Sequence, residues 1–255
     1  MVSDAQAAAL VVATAIIILA IRLRTSGAQR MLVALARGEP REFRARARLL
    51  GGTGARQASS WAALYEAIGL FWEGSFDRAL AITRRIGLPH AHRSILVIAL
   101  DVQCLILSGR VAEARGTFDL HRARLLTLGP NVFSIAGGTT IEGMLWFHEG
   151  ELERSRARLE IVRSTQRRPS PARRLVDFYL AAIAHREGRA DDASAMIEAV
   201  RRGGGAIFVM RQASDAREEI SRAAASTQLA DSLTEAPHKA RRRRHTAAAR
   251  LLARG

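Results

Sequence analysis

The sequence predicts an all-α protein: an α-solenoid of about four to five helix-turn-helix repeats preceded by one N-terminal transmembrane helix. Three observations predict it. No alternation of apolar and polar residues persists beyond a few positions, so strands have no pattern to rest on. A phrase of apolar helix, Gly turn and second helix returns along the chain. Near the start, "AQAAALVVATAIIILAIRLR" holds 17 uncharged residues from Ala5 to Ile21.

The opening run is bounded by Asp4 and Arg22. As a helix rising about 1.5 Å per residue it reaches roughly 25 Å, near the thin limit of a bilayer core, and Ser3 and a snorkelling Arg22 extend it. Eight of the 17 residues are Leu, Ile or Val. Each favours insertion by about 0.3–0.6 kcal/mol, against mild penalties from Gln6 and Thr14. A secretory signal needs positive charge before its apolar run and a small-residue cleavage site after it. "MVSD" and "IRLRTSGAQR" supply neither. A soluble core helix would carry a polar face, and no charge interrupts these turns. The expectation is a retained span over 5–23 with residues 1–4 as a stub outside. Arg22, Arg24, Arg30 and Arg37 follow it, so the positive-inside rule puts the bulk of the chain on the cytoplasmic side of a bacterial inner membrane.

Residues 24–58 form a basic juxtamembrane segment with a divergent repeat, "MLVALARGEPREFRARARLL", whose turn is Gly38. The repeat domain proper covers 59–205. It contains "ALYEAIGLFWEGSFDRALAITRRI", "IALDVQCLILSGRVAEARGTFDLHR", "EGMLWFHEGELERSRARLEIVR" and "FYLAAIAHREGRADDASAMIEAVRR". The turn glycines Gly38, Gly74, Gly109, Gly150 and Gly188 are 36, 35, 41 and 38 residues apart. One hairpin cannot bury both its faces, whereas stacked hairpins share a continuous core. Breaks fall between units at "GLPH", "LGPN" and "RRPSP", the last placing Ser170 and Pro171 as a helix cap and first-turn pair. The 41-residue spacing implies an insertion near "TLGPNVFSIAGGTT", read as a loop between units. A terminal helix follows over 206–225 and is expected to cover the open face of the last hairpin. Residues 226–255 form a basic tail.

This pattern resembles the tetratricopeptide repeat family, whose helix-turn-helix unit is about 34 residues long. The family favours Gly at the turn, an aromatic or apolar residue two later, and Ala five later. Gly74, Phe76 and Ala79 match, as do Gly109, Val111 and Ala114, and Gly188, Ala190 and Ala193. Gly150 and Leu152 match, with Ser155 in place of the Ala. The small residue of the first helix is Ala67, Gly143 or Ala181, with Val102 breaking the pattern, while Pro40 and Phe43 depart from it in the first unit. The resemblance covers roughly residues 27–202 and implies no common reaction.

It does imply a concave groove lined by the first helix of each unit. The matching positions are Trp61, Leu64, Ile68 and Phe71, then Leu96, Gln103 and Ile106, then Met144 and Phe147, then Phe178 and His185. An apolar face of this kind marks a partner site, here for a hydrophobic or amphipathic segment bound helix-in-groove. The alternative is that these side chains pack within the solenoid, or that the terminal helix fills the groove with Ile207, Phe208 and Met210.

Charge and chemistry bound the remaining classes. The net charge is +15, and 38 of 39 basic residues are Arg, with Lys239 the exception. Together with abundant Ala and Gly this reads as GC-rich bacterial coding bias. The excess is positional: residues 22–58 carry +7, residues 59–163 only +1, and 236–255 hold seven basic residues and no acid. Arg22, Arg24 and Arg30, with Arg241, Arg242, Arg243 and Arg244 in the tail, are candidates for anionic headgroups or nonspecific nucleic acid, against the plain reading of a solvated tail. Cys104 is the only cysteine, so no intrachain disulfide or cysteine metal cluster forms. "GGTG" lacks the Lys-Ser/Thr of a phosphate loop, and "LPHAHRS" and "FHEGE" lack the partners of a metal site. No cofactor, metal or catalytic residue is expected. The sequence thus points to a membrane-anchored interaction scaffold with a protein or peptide partner. A second reading is a soluble helical-repeat regulator whose basic ends contact nucleic acid or ribosomes.

Overall fold

Among the described residues seven glycines have left-handed φ, and five of them recur at helix ends along the chain. The computed structural model describes residues 27–51, 56–86, 91–129, 131, 133, 135–166 and 170–218. Gly38, Gly74, Gly109, Gly150 and Gly188 have φ of 78°, 84°, 77°, 85° and 77°, a region that costs a side chain about 1–2 kcal/mol. Each closes the same helix end. The glycine N–H donates to the carbonyl three residues back, and the next N–H donates five back, as in Gly74 N–H to Phe71 O (2.9 Å) and Ser75 N–H to Leu70 O (2.8 Å). The pattern is identical at all five turns.

These turns join five hairpins. α1 (27–36) pairs with α2 (Pro40–Gly51), α3 (Arg56–Trp72) with α4 (Phe76–Thr83), and α5 (Ala91–Leu107) with α6 (Val111–Leu125). α7 (Gly138–His148) pairs with α8 (Leu152–Thr165), and α9 (Pro171–Arg186) with α10 (Ala190–Arg202). A further helix, α11, covers 208–218. The described residues contain helices and no strands, an all-α helical-repeat fold. Second helices pack on the first helix of the next hairpin, α2 on α3 and onward to α8 on α9, and the first helices α3, α5, α7 and α9 touch one another in series. The chain divides into units 1–213 and 214–255; of the second, only 214–218 are described, as helix.

Where the two helices of a hairpin cross, the residue five after the turn glycine is fully buried: Phe43, Ala79, Ala114, Ser155 and Ala193 are each 0% exposed. Ser155 is tolerated there because its hydroxyl donates to Gly143 O (2.7 Å), satisfying the only polar atom it brings inside. Pro40 stands at the first position of α2, where its missing N–H costs nothing. The divergent first unit is therefore a hairpin like the others, with a Phe at its crossing. Ser170 caps α9 as the sequence suggested, accepting from Arg173 N–H (3.2 Å) ahead of Pro171.

A charge pattern follows the repeat. The Arg six after one turn glycine reaches the Glu just before the next: Arg44 to Glu73 (2.6 Å), Arg115 to Glu149 (2.5 Å) and Arg156 to Glu187 (2.9 Å). At the remaining junction Leu80 and Ser108 occupy those places, and Ser108 Oγ donates to Asp77 Oδ1 instead (3.4 Å). Partly exposed pairs such as Arg115–Glu149 and Arg156–Glu187 add about 0–1 kcal/mol each, so they specify register more than stability. Glu142 differs in kind: 1% exposed, it accepts from Arg122 of α6 and Arg158 of α8 (both 2.8 Å) and ties three helices together.

The expected transmembrane helix over 5–23, with Arg22 and Arg24, lies outside the described residues, as do Arg241 to Arg244 and the tail. Among the described residues no helix is long and apolar enough to cross a membrane. Arg30 is exposed on α1.

Candidate functional site

Seven of the eleven positions that the resemblance assigns to a groove are buried in the array. Leu64, Ile68, Phe71, Gln103, Ile106 and Met144 are at most 1% exposed, and Phe147 is 7% exposed. Trp61, Leu96 and Phe178 are half-buried, and His185 is exposed. The burial has identifiable causes: besides helix-on-helix packing, two segments of the chain itself lie against this face.

The first is the insertion between α6 and α7. Gln103, in the last third of α5, grips its backbone. Ala136 N–H donates to Gln103 Oε1 (3.2 Å), while Gln103 Nε2 donates to Ala136 O (3.5 Å) and to Ala99 O (2.9 Å). The loop holds its own shape through Asn131, whose Oδ1 accepts from the Phe133 and Ile135 N–H groups and whose Nδ2 donates to Ile135 O (2.8 Å). Phe133 reaches α3, its ring 5.5 Å from that of Tyr65, and its carbonyl accepts from Trp72 Nε1 (3.4 Å). Gly137 and Gly138 permit the return to α7, since a Cβ on either would strike the backbone of Leu128 or Leu125.

The second is the stretch after α10. Phe208 is 2% exposed and sits among three aromatics, with centroids 5.6 Å from Phe71, 5.8 Å from Trp72 and 5.0 Å from Phe76. The Phe71 and Phe76 contacts are edge-to-face and the Trp72 contact is stacked, geometries worth about 0.5–1.5 kcal/mol each beyond area. A Cβ on Gly74 would lie 3.0 Å from the Phe208 Cβ, so this glycine serves close approach as well as its turn. Arg211 donates to Glu73 O, and Ala206 N–H donates to Gly38 O (2.6 Å). The sequence places this helix over the last hairpin's open face. Phe208 reaches the second hairpin and packs on Phe71, as in the alternative that the terminal helix fills the groove.

Gly203, Gly204 and Gly205 make the bend between α10 and this segment, with φ of 67° at Gly204 and 89° at Gly205. A Cβ on Gly205 would come within 2.6 Å of Arg37 O. Arg174, 8% exposed, donates to Gly204 O (2.6 Å), and its Nε has no hydrogen-bond partner. Burial without a carboxylate pulls its pKa below the usual arginine value.

Beside the bend is a cavity of about 590 Å³ lined by Glu39, Pro40, Glu42, Glu73, Ala206 and Arg211, among others. Glu73 Oε1 is buried without a hydrogen-bond partner, while its Oε2 accepts from Arg44. The Arg44 guanidinium is held well above its ordinary pKa by its bonds to Glu66 and Glu73. Glu39 shares a hydrogen bond with Glu42 that raises its pKa.

Elsewhere the candidate chemistry is structural. Burial, with Asp101 and Asp77 nearby, pushes the Cys104 thiol far up, away from a reactive thiolate. His148 Nε2 is 3.1 Å from the buried Tyr179 hydroxyl. Among the described residues no group of three His, Cys, Asp or Glu could hold a metal ion. Most of "GGTG" and His90 lie outside the described residues. Comparison with protein families, curated proteins and solved structures finds no match.

The particular contacts of the two occupants were not legible in the local sequence. The insertion was visible through the 41-residue spacing, and Phe208 as one of three apolar candidates. The groove was one of two destinations open to Phe208, and the insertion's destination was not legible.

Proposed function

We propose that this chain is a membrane-anchored protein-protein interaction scaffold, a repeat array resembling tetratricopeptide repeats that recruits a peptide-bearing partner at the bacterial inner membrane. One observation carries the reading: the inner face is chemically equipped to hold polypeptide. Gln103 pairs with both the N–H and the C=O of Ala136, and the Phe71–Trp72–Phe76 box receives an aromatic side chain. Five in-phase glycine turns support the family resemblance. The Ala5–Ile21 run and the arginines after it support an anchor with the repeats in the cytoplasm. Confinement to one surface raises the effective concentration of partners on that surface.

Alkaline carbonate extraction of membranes tests the anchor. Retention in the pellet, with a carboxyl-terminal reporter active in the cytosol, is the expected result. Release into the soluble fraction would instead favour the soluble regulator with nucleic-acid contacts at its basic ends.

A further inference from the structure

The segment 206–213 docks like a ligand. Three successive glycines precede it, Ile207, Phe208, Val209 and Ala213 are buried within it, and it reaches the first two hairpins through Phe208, Arg211 and one backbone bond from Ala206 to Gly38. The site is also larger than its occupant. The cavity of about 590 Å³ beside Arg211 is lined by Glu39, Glu42 and Glu73 together with Arg41, and Arg211 donates to the carbonyls of Glu73 and Ala206, so that buried Glu73 Oε1 has no hydrogen-bond partner. Glu42 already accepts from Arg46 and Glu73 Oε2 from Arg44, so the open acceptor is Glu73 Oε1, and its place next to an aromatic box describes a ligand that is aromatic at one point and cationic about one helical turn later.

The geometry points to segment 206–213 as a built-in, displaceable occupant of a peptide site on the first two hairpins, whose outside ligand is a short amphipathic helix of a partner protein carrying an aromatic anchor and, three residues on, an arginine. This rests on the scaffold reading and names its partner chemistry. The resident segment mimics that ligand with Phe208 and Arg211. Tethered by a short glycine linker it is present at about millimolar effective concentration, so an outside peptide must exceed that or arrive with an extra cationic contact to Glu73.

The test uses the full chain and a labelled synthetic peptide of residues 205–218. Three proteins are compared: the unaltered chain, the double variant Phe208→Ala with Arg211→Ala, and a chain with about ten Gly-Ser residues inserted after Gly205. The insertion touches no packed side chain and lowers the effective concentration of the tethered segment. Peptide binding at least about tenfold tighter to the double variant than to the unaltered chain, with an intermediate gain for the insertion, is expected. A peptide with its own Phe208→Ala should bind none of the three. Should the double variant lose its helicity, the insertion chain alone decides. Three results overturn the proposal: no peptide binding to any folded chain at millimolar peptide, equal binding to all three, or dimers of the insertion chain, which would make a second copy the occupant. Carbonate extraction is independent, so failure of the anchor and failure of this site are told apart.

Discussion

Replacing Gln103 with Met probes the loop grip while keeping side-chain volume nearly constant, so that packing changes little. Ala136 is 2% exposed, and its N–H donates to Gln103 Oε1 at 3.2 Å. Without that acceptor a buried donor is left unpaired, at about 1–3 kcal/mol. The Gln103 Nε2 contact to Ala136 O is long at 3.5 Å and adds little, and Ala99 O keeps its place in α5. The loss should therefore be about 1–3 kcal/mol, a fall in melting temperature of roughly 2–10 °C for an array of this size. Urea titration should show a lower midpoint with an unchanged slope, because the surface exposed on unfolding is the same. Amide exchange locates the damage: Ala136 should lose protection by about five- to a hundredfold while α9 and α10 keep theirs. An unchanged midpoint together with full protection at Ala136 would show that Gln103 does not hold the loop.

Gly74→Ala and Gly109→Ala put a side chain at left-handed φ in equivalent turns, at φ 84° and 77°. Both should cost about 1–2 kcal/mol for the backbone. Gly74→Ala should cost more and loosen 206–213, because its Cβ would stand 3.0 Å from Phe208 Cβ whereas nothing lies within 4 Å at Gly109. Equal losses by denaturation would refute that approach. Asp101 is raised from 3.8 to about 6 by burial, against hydrogen bonding from Thr83 and attraction from Arg84. The folded state therefore holds a proton that the unfolded state has released, and stability falls by about 2–3 kcal/mol as pH rises from about 4 to about 6. Asp101→Asn should remove that slope, and a variant with the original pH dependence would exclude Asp101 as its source.

The sequence by itself determined the local structure. A glycine at each turn, an acceptable crossing residue five later and an apolar first helix are decided within a dozen residues. All five turns accordingly stand where their spacing put them, including Gly38, whose Pro40 and Phe43 depart from the family pattern. Ser170 and Pro171 were legible for the same reason.

Tertiary structure alone decided what lies against the inner face. Apolar side chains at Leu64, Ile68, Phe71 and Met144 would appear whether that face met an outside partner or the chain's own segments, because the burial free energy is the same in both cases. Choosing between them depends on closing loops between residues far apart in sequence: Gln103 with Ala136, Trp72 with Phe133, Glu73 with Arg211. Such contacts leave no periodic trace in the sequence. They arise only once the stacked hairpins have set the distance and direction of each turn.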